Sequence, residues 1–287
     1  MTRRLTDPSV VRALLAEYGV HAKKSYGQNF LTSGDVLADV VEATAGDELD
    51  SCSAVVEIGP GVGTLTQALA EEGFARVVAV EKDRQLLPLL RKSLADYANI
   101  RVVQGDALRV DWTDILTPEE RAGKVRVAAN LPYYITTPLI MSLLESSQAF
   151  ERIVVMVQKE VADRMAAGPG GKDYGALTLA VQYYSQVEVI RTVAADCFVP
   201  RPGVDSAVVR MRVRRPDYAQ DDSEPFFRVV RAAFGQRRKT LANALAAGFP
   251  ELGKAGVQQW LLRAGTDGGR RGETLSAEEF AELSKRL

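Results

Sequence analysis

The stretch that decides the fold is residues 54–63, Ala54-Val55-Val56-Glu57-Ile58-Gly59-Pro60-Gly61-Val62-Gly63. Its first five residues predict a short buried strand, and its three alternating glycines predict a tight turn into a helix. A turn without Cβ atoms lets a ligand lie against the backbone. The spacing is not that of the dinucleotide motif, and Pro60 removes an N–H that could hold a pyrophosphate. A ligand without phosphate groups therefore fits this loop better.

The same order of strand, turn and helix continues on both sides of this stretch. The predicted strands are residues 54–58, 77–81, 100–104, 125–129, 153–157, 188–193 and 206–213. Each parallel return of the chain needs a crossover that covers a face of the sheet. The alternation therefore predicts an α/β, Rossmann-like fold with a mostly parallel seven-stranded sheet. Because residues 194–205 are a short link, we expect the last two strands to close the sheet as an antiparallel pair.

The end of the chain has only helical periodicity. A polar stretch at residues 217–223 is typical of a linker, so we predict a first domain of residues 1–216 and a small all-helical second domain of residues 217–287. Its predicted helices are residues 224–234, 238–247, 255–264 and 277–286, the last with Ser276 and Glu279 spaced as a capping box. A short helix is also predicted between Asp7 and Gly19, and we assign no function to the first twenty residues.

Composition excludes several classes of protein. The chain has 287 residues, 46% hydrophobic and 25% charged, which is ordinary for a folded globular protein. It has no apolar run near the roughly 18 residues that span a bilayer, and we expect a cytoplasmic location and no membrane partner. Two cysteines and one histidine are too few for a disulfide framework or a zinc site. We expect no metal, and a monomer.

Two carboxylates follow neighbouring predicted strands. Glu81 ends the second strand, and Asp106, in Gly105-Asp106-Ala107, closes the third. The carboxyl ends of parallel strands meet at one edge, where open α/β sheets bind ligands. A carboxylate at the position of Glu81 can accept hydrogen bonds from ribose hydroxyls, and one at Asp106 can accept a bond from an adenine amino group. The pair predicts a nucleoside site.

The fourth strand is followed by Asn130-Leu131-Pro132-Tyr133. Pro132 stiffens the turn, so Asn130 and Tyr133 project from a rigid support. The Asn130 amide oxygen, the Leu131 carbonyl and an aromatic face suit a planar base with an exocyclic amine. This segment predicts the place where such a base is held.

These motifs together resemble the small-subunit ribosomal RNA adenine dimethyltransferases, and the resemblance runs from about Lys23 to the C-terminus. The motifs that carry it are Gln28-Asn29-Phe30-Leu31, Glu57-Ile58-Gly59-Pro60-Gly61, Glu81, Gly105-Asp106-Ala107, Asn130-Leu131-Pro132-Tyr133, Phe198-Val199-Pro200-Arg201-Pro202-Gly203-Val204-Asp205-Ser206 and Phe234-Gly235-Gln236-Arg237-Arg238-Lys239-Thr240-Leu241. It implies a class I methyltransferase fold, S-adenosylmethionine as the cofactor, and dimethylation of adenine N6 during maturation of the small ribosomal subunit or its precursor.

The resemblance also implies roles for single residues. The cofactor would be bound by Gln28, Asn29, Leu31, Gly59, Gly61, Glu81, Asp106, Ala107 and Asn130. The methyl transfer itself would involve Asn130, Leu131, Tyr133 and Phe198, with Tyr133 and Phe198 stacking on the target base.

Net charge is −1, so an RNA-binding field has to be local. One cluster, Arg228, Arg231 and residues 237–239, has no acidic residue among its members. A second lies around Asp205 and consists of Arg201, Arg210, Arg212, Arg214 and Arg215. We predict RNA contacts at Arg201, Arg237, Arg238 and Lys239. The arginines at 210, 212 and 214 fit the solvent face of an alternating strand equally well.

Three rival functions remain open at this point. The first is the related large-subunit enzyme that confers antibiotic resistance, against which Leu131 and residues 198–206 argue. The second is an assembly or transcription factor that has lost turnover. The third is a DNA adenine methyltransferase, which uses the same chemistry on a flipped base.

Overall fold

The computed structural model describes residues 5–20, 28–46, 49 and 54–287. The chain forms two compact units, the first Met1–Ala162 with Val187–Val213 and the second Asp163–Gln186 with Arg214–Leu287. The sequence prediction assigned residues 163–186 to the first domain. They belong to the second unit because aromatic side chains there, Tyr174 and Tyr183, pack into its core with Phe226 and Trp260.

The first unit is built on a seven-stranded sheet in the order β4-β3-β2-β5-β6-β9-β7. Strands β2 to β6 are parallel to one another, and β9 pairs with β6 in the antiparallel direction. The Rossmann-like, mostly parallel sheet is thereby confirmed, with the last two predicted strands as neighbours at one edge. The strands in chain order are β1 Phe30–Leu31, β2 Ala54–Ile58, β3 Arg76–Glu81, β4 Ile100–Gln104, β5 Val125–Asn130, β6 Arg152–Gln158, β7 Ser185–Val193, β8 Phe198–Val199 and β9 Ser206–Val213.

The strand order reverses at β2, which lies between β3 and β5. Such a switch point leaves a crevice at the carboxyl ends of the strands. A separate two-stranded antiparallel sheet pairs β1 with β8. It was not predicted, because a strand of two residues is too short to show an alternating pattern.

Helices cover the sheet of the first unit, with Val40 of α2 and Leu69 of α3 in one core cluster with Val55, Ala128 and Val154 of the strands. Asp7 caps the first helix by accepting from Ser9 N at 2.7 Å, as predicted. The fourth helix begins after a turn in which Asp83 accepts from Gln85 N at 3.1 Å. The helices up to the end of β6 are α1 Pro8–Glu17, α2 Gly34–Ala45, α3 Thr64–Glu72, α4 Leu87–Ser93, α5 Trp112–Ile115, α6 Pro118–Ala122 and α7 Thr136–Leu144.

The remaining helices are α8 Lys159–Met165, α9 Ala176–Tyr184, α10 Glu224–Gly235, α11 Leu241–Gly248, α12 Gly253–Arg263 and α13 Ala277–Lys285. The helical character of the C-terminal part is confirmed, as is the capping box of Ser276 and Glu279. Helix α11 begins three residues later than predicted, because Thr240 takes the N-cap position. No helix in the parts of the chain that the structure describes has the length and apolar character needed to cross a membrane.

Candidate active site

One pocket in the first unit lies at the carboxyl ends of β2, β3, β4 and β5. All the residues predicted to bind the cofactor line it, namely Gln28, Asn29, Leu31, Gly59, Gly61, Glu81, Asp106, Ala107 and Asn130. They come from five separate segments of the chain. The parallel strands bring these segments together because their carboxyl ends share one edge.

The loop after β2 has the conformation that its glycines predicted. Gly59, Gly61 and Gly63 have φ values of +70°, +60° and +94°, which disfavour residues with a side chain. The turn is closed by Gly63 N, which donates to the Pro60 carbonyl at 2.9 Å. A Cβ on Gly61 would also lie 2.9 Å from Cε1 of Phe30. A side chain at Gly61 would therefore collide with Phe30, whereas a Cβ on Gly59 would meet no atom within 4 Å and would project into open space.

Glu81 lies buried at the end of β3 and is tied to the glycine loop. Its carboxylate accepts from Gly61 N at 3.3 Å and from Asp83 N at 2.7 Å. Burial raises the pKa of Glu81, although these two backbone hydrogen bonds oppose that change. The side chain is thus held in a fixed orientation at the pocket wall.

Glu57 also lines the pocket, and the sequence analysis assigned it no role of its own. Its side chain is 2% exposed, and burial raises its pKa to about 8. Its Oε2 atom has no hydrogen-bond partner among the residues that the structure describes. The Thr66 side chain opposes this rise in the Glu57 pKa, and the Oε2 atom itself is closed off from solvent. The available signal was a lone carboxylate inside an otherwise apolar strand.

Asp106 forms an ion pair with Lys82, a pocket residue that the sequence analysis did not single out. The Lys82 Nζ to Asp106 Oδ2 distance is 2.9 Å, and Leu108 N donates to Asp106 Oδ1 at 3.2 Å. Burial alone would raise the pKa of Asp106, but these two bonds outweigh it and lower the pKa below its ordinary value. Asp106 is therefore an ionised acceptor at neutral pH.

The orientation of the Asn130 side chain is fixed by a hydrogen bond. Its Nδ2 donates to the Asn29 carbonyl at 2.8 Å. Because the amide nitrogen is used in this way, the amide oxygen is the group left to accept. Leu131, the next residue, has a buried side chain outside the pocket lining, and its N–H donates to the Met156 carbonyl at 3.1 Å.

The two aromatic residues predicted to stack on the target base do not line this pocket. The Tyr133 hydroxyl lies 2.8 Å from Ser206 Oγ, and Phe198, 3% exposed, belongs to the core cluster of the first unit. Tyr134 is the aromatic residue of this turn that lines the pocket, and it is 55% exposed. The stacking roles of Tyr133 and Phe198 stay predictions.

The cationic cluster of the second unit, Arg228, Arg231 and residues 237–239, is partly neutralised by nearby acidic side chains. Arg237 Nη2 lies 3.0 Å from Glu273 Oε2 and also donates to the Lys172 and Tyr174 carbonyls. Arg228 and Arg231 likewise pair with Glu251 and Glu224. The three arginines are compensated by acidic residues outside the cluster: Glu251 and Glu273 come from distant segments, and Glu224 lies two turns before Arg231 on the same helix.

Arg238 and Lys239 differ from these arginines. Both side chains are exposed, and neither has an ion pair within the described ranges. The same holds for Arg201 of the first unit.

Over the described residues there is no group of three His, Cys, Asp or Glu side chains that could hold a metal ion.

Comparisons with known proteins agree with the pocket chemistry. The family model described as ribosomal RNA adenine dimethylase matches residues 19–287. A protein of Alkaliphilus metalliredigens named ribosomal RNA small subunit methyltransferase A is 45% identical, over 99% of this chain and 98% of that protein. A protein of the same name from Geobacillus thermodenitrificans is 46% identical, over 100% of this chain and 98% of its own.

Two solved structures are similar along most of the chain. A dimethyladenosine transferase from Plasmodium falciparum is 25% identical with a TM-score of 0.72, covering 88% of this chain and 95% of its own. The 23S rRNA methyltransferase ErmE is 27% identical with a TM-score of 0.69, covering 90% of this chain and 99% of its own. With a family match over more than nine tenths of its length, this chain belongs to the ribosomal RNA adenine dimethylases, a family of S-adenosylmethionine-dependent methyltransferases.

Proposed function

We propose that this protein transfers methyl groups from S-adenosylmethionine to the N6 amino group of adenines in small-subunit ribosomal RNA, forming N6,N6-dimethyladenosine. The observation that carries the proposal is the convergence of every predicted cofactor residue on one pocket. The small-subunit assignment is supported by full-length relatives of 45% and 46% identity that bear that name.

The pocket residues fit this cofactor. In the proposed arrangement Glu81 accepts hydrogen bonds from the ribose hydroxyls, and Asp106 accepts one from the adenine amino group. The backbone of Gly59 and Gly61 lies against the methionine part, and a Cβ on Gly59 would project into open space there rather than against protein atoms. Glu81 and Asp106 are thus acceptors for a ligand rich in donors, and the one pocket cation among the described residues, Lys82, is paired with Asp106.

When bound, the cofactor supplies a methyl group already activated by its sulfonium. The main task of the protein is therefore to align the adenine amine and to stabilise the positive charge that develops on its nitrogen. We assign this task to the Asn130 amide oxygen and the Leu131 carbonyl, which accept from the amine. Asn29 supports Asn130 through the hydrogen bond to its carbonyl. No strong base is required, since the methylated nitrogen is acidic and releases its proton to water.

RNA contact is assigned to exposed cations, with Arg238 and Lys239 as the principal pair and Arg201 as a separate contact. Arg237 is assigned a weaker part, because its charge is matched by Glu273. We further propose that the protein acts as a monomer, in the cytoplasm, on the small subunit or its precursor.

The test is transfer of labelled methyl groups to purified subunits from cells that lack the enzyme, followed by nucleoside analysis. We expect labelled N6,N6-dimethyladenosine in small subunits and none in large subunits. Label in large subunits alone would instead support the activity of the protein ErmE, whose structure is similar. Small subunits that stay unlabelled under saturating cofactor would overturn the proposal.

A further inference from the structure

We infer that the N-terminal segment of residues 5–18 supports the cofactor site from outside the pocket lining, with Leu5 and Leu14 as positioning residues for the glycine loop. This segment lies before the residues that the family model matches. The inference rests on the proposed place of the cofactor at the carboxyl edge of the sheet.

The first contact is a hydrogen bond to the beginning of α3. Thr64, the residue directly after Gly63, donates from Oγ1 to the Leu5 carbonyl at 3.1 Å. Thr64 is 7% exposed and lines the cofactor pocket. The bond joins the N-terminal segment to the point where the glycine loop becomes a helix, since Gly63 is the N-cap of α3.

The second contact is apolar. Leu5, Val11 and Leu14 belong to one core cluster with Val62, which lies inside the glycine loop, and with Phe30. The Phe30 ring lies directly against Gly61, so close that a Cβ there would be 2.9 Å from Cε1. The N-terminal segment therefore packs against the loop both through Val62 and through Phe30.

A loop with three glycines at positive φ needs support from outside. Glycine has more conformational freedom than any other residue, and within this turn the backbone is closed by the bond from Gly63 N to the Pro60 carbonyl. Leu14 lies outside the pocket lining, so its effect on a ligand has to pass through Val62 and Phe30. Loss of these contacts is expected to loosen the loop and to weaken cofactor binding without removing a cofactor contact.

An exposed ion pair between α1, the helix that carries Leu14, and α4 provides a matched control. Lys92 of α4 lies 3.2 Å from Glu17 Oε1, with both side chains exposed. It joins α1 to α4 and does not involve the glycine loop. Exposed pairs contribute little to stability, so Lys92→Met is expected to leave cofactor affinity unchanged.

The experiment measures S-adenosylmethionine affinity by calorimetry, together with amide hydrogen exchange at Gly61, Val62 and Gly63. Leu14→Ala is expected to weaken binding by about fivefold or more and to speed exchange at these amides. Leu116→Ala, at a buried leucine outside this cluster and the pocket lining, controls for a general loss of stability. It is expected to leave both readouts as in the wild type.

A second pair of variants keeps the test decisive if Leu14→Ala does not fold. Thr64→Val removes the donor at nearly constant volume and should raise both the dissociation constant and the exchange rate, whereas Thr64→Ser keeps the donor and should restore them. Wild-type affinity and exchange in folded Leu14→Ala and Thr64→Val would overturn the inference. A wild-type protein that does not bind the cofactor would overturn the proposed function itself.

Discussion

Short motifs predicted both the cofactor pocket of the first unit and the basic turn of the second, residues 236–240. The residues of the pocket motifs lie together as predicted, whereas those of the basic turn differ from one another in their contacts. In the pocket, each predicted cofactor residue is present in the lining. In the basic turn, Arg237 is bound to Glu273 and to two carbonyls, whereas Arg238 and Lys239 are exposed. Three consecutive cations therefore do not form one uniform surface.

The difference has a physical cause. The carboxyl ends of parallel strands all lie at the same edge of the sheet. The position of a polar residue at a strand end therefore follows from the order of the strands alone. The surroundings of a surface cation depend on residues far away in sequence, such as Tyr174 and Glu273 for Arg237. Polar residues at the ends of predicted strands thus predict which side chains lie close together. A run of charged residues predicts only its own total charge, not the ion pairs that its members form.

The largest effect is expected at Asn130. Asn130→Ala removes an oriented acceptor for the reacting amine and should lower the single-turnover methylation rate on the order of 10²–10³-fold, with little change in RNA affinity. Asn99→Ala is the matched control, because Asn99 is also hydrogen-bonded to backbone carbonyls but lies outside the pocket lining. Wild-type rates in folded Asn130→Ala would refute the catalytic role.

Glu81 should affect binding before chemistry. Glu81→Ala removes the proposed charged hydrogen bonds to ribose and the bond to Gly61 N, so cofactor affinity should fall by roughly 10- to 150-fold. Calorimetry measures this directly. Glu120→Ala removes another buried carboxylate, one that pairs with Arg101 outside the pocket, and should lower stability alone. Equal affinity losses in the two variants would show that Glu81 acts only through folding.

Glu57 predicts a dependence of stability on pH. Burial raises its pKa from 4.5 to about 8, so between these values the folded protein keeps a proton that the unfolded chain releases. The free energy of unfolding should therefore fall as pH rises through this window, by up to about 1.4 kcal/mol per pH unit. Glu57→Gln should remove the part of this slope that Glu57 contributes, measured by urea unfolding at pH 6, 7 and 8, while buried Glu81 keeps its own part. Parallel slopes in the two proteins would contradict the buried, protonated state.

The smallest effects are expected in the basic turn. Replacing Arg238 and Lys239 by glutamine should flatten the dependence of log affinity for RNA on log salt by about 0.7–0.9 per removed contact. Arg237→Gln should chiefly lower the melting temperature, because it breaks bonds within the second unit. RNA affinity at several salt concentrations separates the two outcomes. A larger change in slope for Arg237→Gln than for the double variant would reverse this assignment.

Much of the fold followed from sequence because its strands are apolar and bounded by clear turn residues. Seven strands, the capped helix after Asp7 and the capping box at Ser276 were all predicted. The β1–β8 pair was missed since two residues have no periodicity, and α11 was begun too early because a run of cations is compatible with a helix. Side-chain contacts between segments that are distant in sequence were also not predicted.

Those missed contacts matter for the site. Lys82 beside Asp106, the exposed Tyr134 and the unpartnered oxygen of Glu57 all lie at the pocket. None is signalled by spacing alone, because a lysine or tyrosine next to a motif is usually a solvated neighbour. The bond from Thr64 to Leu5 joins residues 59 positions apart, which no local pattern predicts.

The central claim is that the cofactor binds at the carboxyl edge of the sheet, between the glycine loop and the ends of β3, β4 and β5. A crystal structure of the protein with S-adenosylhomocysteine tests it most directly. The account predicts the ribose hydroxyls at the Glu81 carboxylate, the adenine amine at Asp106 and the sulfur directed toward Asn130. A ligand bound outside this pocket, or with its adenine and amino acid ends exchanged, would contradict it.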